Sequence, residues 1–132
     1  MYRCARPRQA CSAWTGVRAA ALNQNYTVNL PVNPALRGSV VQLYLTGQGL
    51  LDPPMETGAP APGSPPLPAP RLPVTVTMDG RPAPVLFAGA APGFVGLLQV
   101  NAEVPADLSP SSDVNVLVGS HPAGRRVTIA VR

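Results

Sequence analysis

From Val74 to the end of the chain, apolar and polar side chains alternate with a period of two. Val74, Val76 and Met78 alternate with Thr75 and Thr77, and Leu98, Val100, Ala102 and Val104 alternate with Gln99, Asn101 and Glu103. Successive side chains of a strand point to opposite faces, so each run predicts a strand with one buried and one wet face. Val114, Val116 and Val118 predict a further strand, as do Val127, Ile129 and Val131. Asp79-Gly80 supplies the positive-φ pair of a tight hairpin turn before Val85-Leu86-Phe87 resumes. Upstream, Val40 to Leu45 reads as a strand with bulky residues on both faces, turned by Thr46-Gly47-Gln48-Gly49. The shared parity predicts one core containing Val76, Phe87, Leu98, Val100, Val116, Ile129 and Val131, with the final strand at a sheet edge.

Between these strands the texture changes twice. Residues 1–22 show neither period and read as a disordered or linker-like segment, so the domain is expected to span 23–132. Residues 52–73 hold nine of the 18 prolines, mixed with Gly58, Gly63 and Ser64, and predict a long, mobile proline-rich loop replaceable by a short linker. Without these segments roughly 90 residues remain, the size of an immunoglobulin-like sandwich. The expected fold is therefore all-β, an antiparallel immunoglobulin-like sandwich of about seven strands with a long proline-rich loop.

Composition narrows the function classes. Charged residues are only 12% of the chain, and with 12 glycines beside the prolines this leaves little room for long helices. All ten basic residues are arginine, and the net charge is +4. Arg3, Arg6, Arg8 and Arg18 fall in the first eighteen residues and most others are scattered, so no phosphate-tracking stripe forms and nucleic-acid binding is not expected. No apolar run reaches the length needed to span a bilayer, and the basic start is not followed by the apolar core of an export signal. Cys4 and Cys11 are the only cysteines, and two thiols without a nearby histidine make neither a zinc nor a haem site; their pairing stays open.

The inventory for catalysis is thin, with one histidine, no lysine and no nucleophile elbow, so no catalytic residue, metal ligand or cofactor is expected. His121 reads as a solvated turn residue, and Asp107 and Asp113 lack the spacing of a calcium loop. Asn25-Tyr26-Thr27 matches a glycosylation tripeptide that chance supplies readily. Gln99 and Asn101 are the most informative polar pair, because both project from one face of the strongest strand. Amides there can read a sugar or a peptide, or satisfy the backbone of the adjacent Pro-Gly-Phe loop. With the aromatics Phe94 and Tyr44 they form the candidate ligand-binding set.

Several stretches together carry a family likeness: Ala21-Leu22-Asn23-Gln24, Asn33-Pro34-Ala35 with Gly38-Ser39-Val40-Val41, and above all the block from Ala88-Gly89 through Ala91-Pro92-Gly93-Phe94-Val95-Gly96 to Gln99-Val100-Asn101. From Ala21 to Arg132 the chain resembles the Solibacter-type uncharacterised C-terminal domain family. Pro34, Gly38, Val41, Leu43 and Gly47 also take the places of the opening Pro, Gly and Val-x-Leu-x-Gly stretch of immunoglobulin-like IPT/TIG modules. The resemblance implies a non-catalytic structural or adhesive module at the C-terminal end of a secreted or cell-surface bacterial protein, with further domains upstream and no transferable catalytic residues. Its expected partners are a protein or glycan at the cell surface. A carbohydrate-binding module and a C-terminal sorting or secretion domain are the alternatives.

Overall fold

The computed structural model describes residues 17–123 and 127–132; Cys4 and Cys11 lie outside them. Among the described residues the chain is all-β and without a helix. Its strands are β1 (Val17–Arg18), β2 (Ala21–Leu22), β3 (Val40–Leu45), β4 (Leu51–Asp52), β5 (Ala69–Pro70), β6 (Val74–Met78), β7 (Arg81–Ala83), β8 (Val85–Ala90), β9 (Leu98–Glu103), β10 (Ser111–Val118), β11 (His121–Pro122) and β12 (Val127–Ala130). That exceeds the expected seven because β1, β2, β4, β5 and β11 are two-residue pieces.

Two sheets carry the architecture. One has the order β1-β12-β10-β6-β7, with β11 paired to the end of β10, and the other has the order β2-β3-β9-β8. All pairings within them are antiparallel except β1 against β12. Their inward side chains form a single apolar cluster. Val41 and Leu43 of β3 and Leu98, Val100 and Ala102 of β9 meet Val76 and Met78 of β6, Val114 and Val116 of β10, and Ile129 of β12. Alternation puts these residues inside, and full burial of each large aliphatic side chain is worth about 1.5–3 kcal/mol.

Four expectations need correction. Phe87 is only half-buried and does not join the core, because a bulge between Val85 and Phe87 shifts the register so that Val85, Ala88 and Ala90 turn inward instead. The Asp79-Gly80 turn (φ 51° and 75°) closes a hairpin between β6 and β7, rather than leading directly to residues 85–87. Pro82 and Pro84 have no amide hydrogen to extend the ladder, so β7 remains an edge and the chain crosses to the other sheet as β8. The final strand is not an edge either, since β1 lies against β12 in parallel, Val17 opposite Val127. The folded part consequently includes residues 17–22, placed by sequence in a linker-like segment.

The proline-rich segment is tied down, contrary to the expectation of a mobile loop. Leu51 and Asp52 pair with Pro70 and Ala69 as a small hairpin, the Pro68 carbonyl accepts the Ala90 amide at 2.7 Å, and Ala61 is buried where it bridges to Pro92. Ala61 also accepts from the Gly93 amide and donates to the Phe94 carbonyl, both at 2.9 Å. Proline carbonyls accept as well as any others, so a chain poor in donors can still cover the outer edge of β8.

The asparagine-punctuated stretch before β3 is equally structural. Asn29, 5% exposed, accepts the Ala130 amide at 2.7 Å and donates to the Ala130 carbonyl at 2.8 Å, so one side-chain amide imitates a neighbouring strand along β12. Its Nδ2 also donates to Asn23 Oδ1, and Asn23 in turn donates to the Asn33 carbonyl. Asp79 accepts from the Asp113 amide and the Ser109 hydroxyl, while Arg81 pairs with Asp107, which fixes the β6–β7 turn to the loop before β10.

Leu98→Ala is expected to lower stability by about 2–5 kcal/mol, and Thr75→Ala, on the outer face of β6, to change it by no more than about 0.5 kcal/mol, in chemical denaturation. Replacing residues 53–68 with a short glycine-serine linker should lower the melting temperature and produce concentration-dependent association, seen by light scattering, because the edge of β8 is uncovered. A linker variant that stays monomeric and melts with the parent shows that the segment is dispensable.

Candidate functional site

The parity that buries Leu98, Val100 and Ala102 sends Gln99, Asn101 and Glu103 to the outer face of the β2-β3-β9-β8 sheet. Antiparallel register then brings their neighbours beside them. Gln42 and Phe87 flank Asn101, Tyr44 and Gly89 flank Gln99, and Val40 lies opposite Glu103. The outer face thus carries an amide row on β9, bracketed diagonally by Tyr44 on β3 and Phe87 on β8, two strand spacings across and two residues along, or about 12 Å apart.

The side chains are partly held by one another. Gln99 Nε2 donates to Asn101 Oδ1 at 3.0 Å, and the Tyr44 hydroxyl donates to Gln42 Oε1 at 3.3 Å. Gln42 is buried in the middle of the face, while Tyr44, Gln99, Asn101 and Phe87 are half-exposed. The amides do not serve the Pro92-Gly93-Phe94 loop: among the described residues its hydrogen bonds go to Ala61 and Ala91. Phe87 folds over Gly89, where a β-carbon would lie 2.9 Å from Phe87 Cζ and 3.1 Å from the Pro68 carbonyl oxygen. Glycine at this position therefore lets the ring and the proline-rich segment close that side of the face.

Of the four residues proposed from sequence, Tyr44, Gln99 and Asn101 share this face. Phe94 does not; it stands exposed in the β8–β9 loop, where its carbonyl is engaged by Ala61. Sequence reading missed Gln42, and it placed Phe87 in the core. Gln42 shares the parity of Tyr44 inside an otherwise apolar run, a usable signal, whereas the bulge that turns Phe87 outward left none. It also missed Tyr26, which sits in the turn after β2 with φ 65° and is 74% exposed. Burial raises the ionisation of the Tyr44 phenol above its ordinary value of 10.0, and the Tyr26 phenol nearby raises it further.

Two surface depressions are present, the second of them partly lined by Tyr44. One of about 450 Å³ borders Asn23, Asn25, Asn33 and Arg132, and its asparagines are engaged in the turn network. The other, of about 290 Å³, is lined mainly by apolar residues of the two sheets, among them Leu43, Leu45, Val116 and Val127. Among the described residues no three histidine, cysteine or acidic side chains are grouped to hold a metal ion, and no helix is long and apolar enough to cross a membrane. The carboxyl of Asp79 is pushed up by burial, but bonds from Ser109, Asp113 and Ser112 outweigh this and hold it below the usual aspartate value, as suits an anchored turn. No family model, no curated protein and no solved structure matches this chain.

Because the folded chain holds the Tyr44 proton more tightly than the unfolded chain, that contribution to stability is intact below pH 10.0 and is lost as pH rises through the raised value. Thermal melts should show a decline above about pH 10 that is shallower in Tyr44→Phe, and an unchanged slope in that variant would contradict the assignment.

Proposed function

We propose that the chain is a non-catalytic, immunoglobulin-like module of a secreted or cell-surface bacterial protein, serving a structural or adhesive role through the outer face of the β2-β3-β9-β8 sheet. The observation that carries this reading is the arrangement of that face, where uncharged amides and aromatic rings are set side by side by sheet register. Strand order supports the fold assignment: β2-β3-β9-β8 opposite β12-β10-β6-β7 is the division of strands expected when two such sheets enclose one core. The likeness to the Solibacter-type C-terminal domain family and to IPT/TIG modules supports the same role.

The acidic residues best placed for chemistry have structural work instead. Asp79 and Asp107 anchor the β6–β7 hairpin, the Asp113 backbone is bonded to Asp79, and His121 is exposed at the start of β11. A binding unit needs only a rigid face, and this one rests on β9, whose underside residues Leu98, Val100 and Ala102 are wholly buried.

Labelled chain is expected to bind bacterial cell envelopes saturably, with binding lost in the Gln99→Ala/Asn101→Ala double variant and no turnover in esterase, phosphatase and glycosidase assays. Envelope binding unaffected by the double variant, or an activity that co-purifies with the folded chain and vanishes in His121→Ala, would overturn the proposal.

A further inference from the structure

The two sheets part where the chain crosses between them, and an apolar groove lies beside the crossing. The Ala19 amide donates to the Thr128 carbonyl of β12 and the Ala20 carbonyl accepts the Tyr44 amide of β3, both at 2.9 Å, so residues 19–20 strap one sheet to the other. Next to this strap is the depression of about 290 Å³, walled by Leu43 and Leu45 of β3, Val114 and Val116 of β10, and Val127 of β12. Leu45 and Val127 pack against the core yet stay only partly buried. A groove of this kind is hydrophobic surface facing water, which folding ordinarily covers, and walls with so few polar groups hold water poorly. Its size and lining suit one large aromatic side chain.

The sequence places such a side chain within reach. Residues 1–16 lie outside the described chain, and the large apolar residue among them nearest to β1 is Trp14, the one tryptophan of the protein. It stands three positions before Val17, which is opposite Val127 of the groove wall. At about 3.3–3.6 Å per residue, its backbone is tethered within roughly 11 Å of Val17. Gly16, between them, widens the choice of backbone path. The residues between Ala123 and Val127, Gly124, Arg125 and Arg126, bring no apolar side chain to compete. The polar end of an indole also finds a partner here: Thr46 is exposed in the groove lining, and among the described residues its hydroxyl bonds no protein atom, so it is open to accept the indole N–H.

We propose that the groove is the docking site of the chain's own Trp14, whose ring packs between the two sheets against Leu45, Val116 and Val127 with its N–H on Thr46. The short tether gives this side chain an effective concentration that the tryptophan of a second copy does not match. Docking completes the core at its open side and pins the chain to both sheets where it enters the module. A domain joined upstream of residue 14 would then be held at a fixed angle to the β2-β3-β9-β8 sheet. The inference adds to the reading of the outer face and does not depend on it.

The test uses the full chain, in which tryptophan fluorescence reports on Trp14 alone. Emission of the native chain should lie to the blue of the urea-unfolded chain and resist acrylamide quenching severalfold better, equally at all protein concentrations. Nuclear Overhauser contacts should run from the indole protons to the methyls of Leu45, Val116 and Val127. Trp14→Ala should lower the melting temperature by about 5 °C or more and raise binding of an anilinonaphthalene sulfonate dye, because the groove is opened. Should that variant fail to fold, the spectra and indole contacts of the parent decide alone. Native emission and quenching equal to those of the unfolded chain, or indole contacts to other residues, overturn the docking. So does an apolar small molecule released from the native chain on unfolding. A blue shift that grows with concentration alongside a dimer in sedimentation assigns the groove to a second copy's tryptophan and overturns the proposal as well.

Discussion

The alternation of β9 is the constraint on which this molecule depends. Leu98, Val100 and Ala102 are completely buried against the opposite sheet, and the same parity places Gln99, Asn101 and Glu103 outside. A slip of one residue would bury two amides and a carboxylate while exposing three apolar side chains, so the register is strongly specified. Because β9 is central in its sheet, fixing it also fixes which residues of β3 and β8 stand beside the amides. The core and the candidate face are two sides of one choice.

Around that centre, the molecule manages its edges by side-chain and loop hydrogen bonds rather than by long strands. Asn29 stands in for a strand beside Ala130, the Pro68 carbonyl takes the last amide of β8, and the prolines at 82 and 84 blunt β7. These devices suit a chain with few charges, since charged side chains are the usual means of keeping an edge from pairing with another molecule. They also explain why the proline-rich and asparagine-rich stretches, which look like spacers, are load-sharing parts of the fold.

The same economy shapes the face. Its two polar bonds link side chains on one strand, Gln99 to Asn101 and Tyr44 to Gln42, so each row is oriented before any ligand arrives. Preorganisation of this kind lowers the entropy lost on binding. Apart from the face, Tyr26 keeps a positive φ in a turn whose asparagines are anchored to the last strand.

Sequence by itself determined the all-β class, the Asp79-Gly80 turn, the inward rows of β6, β9, β10 and β12, and the shared face of Gln99 and Asn101. Each follows from period-two alternation or turn stereochemistry, which are local. Tertiary structure alone decided that Phe87 turns outward, since a bulge arises from how β8 must meet β9, and that β12 is covered by β1, since pairing partners distant in the chain leave no local pattern. It alone decided that residues 52–73 dock on β8, because carbonyl acceptors are present in every residue and composition cannot say which are used.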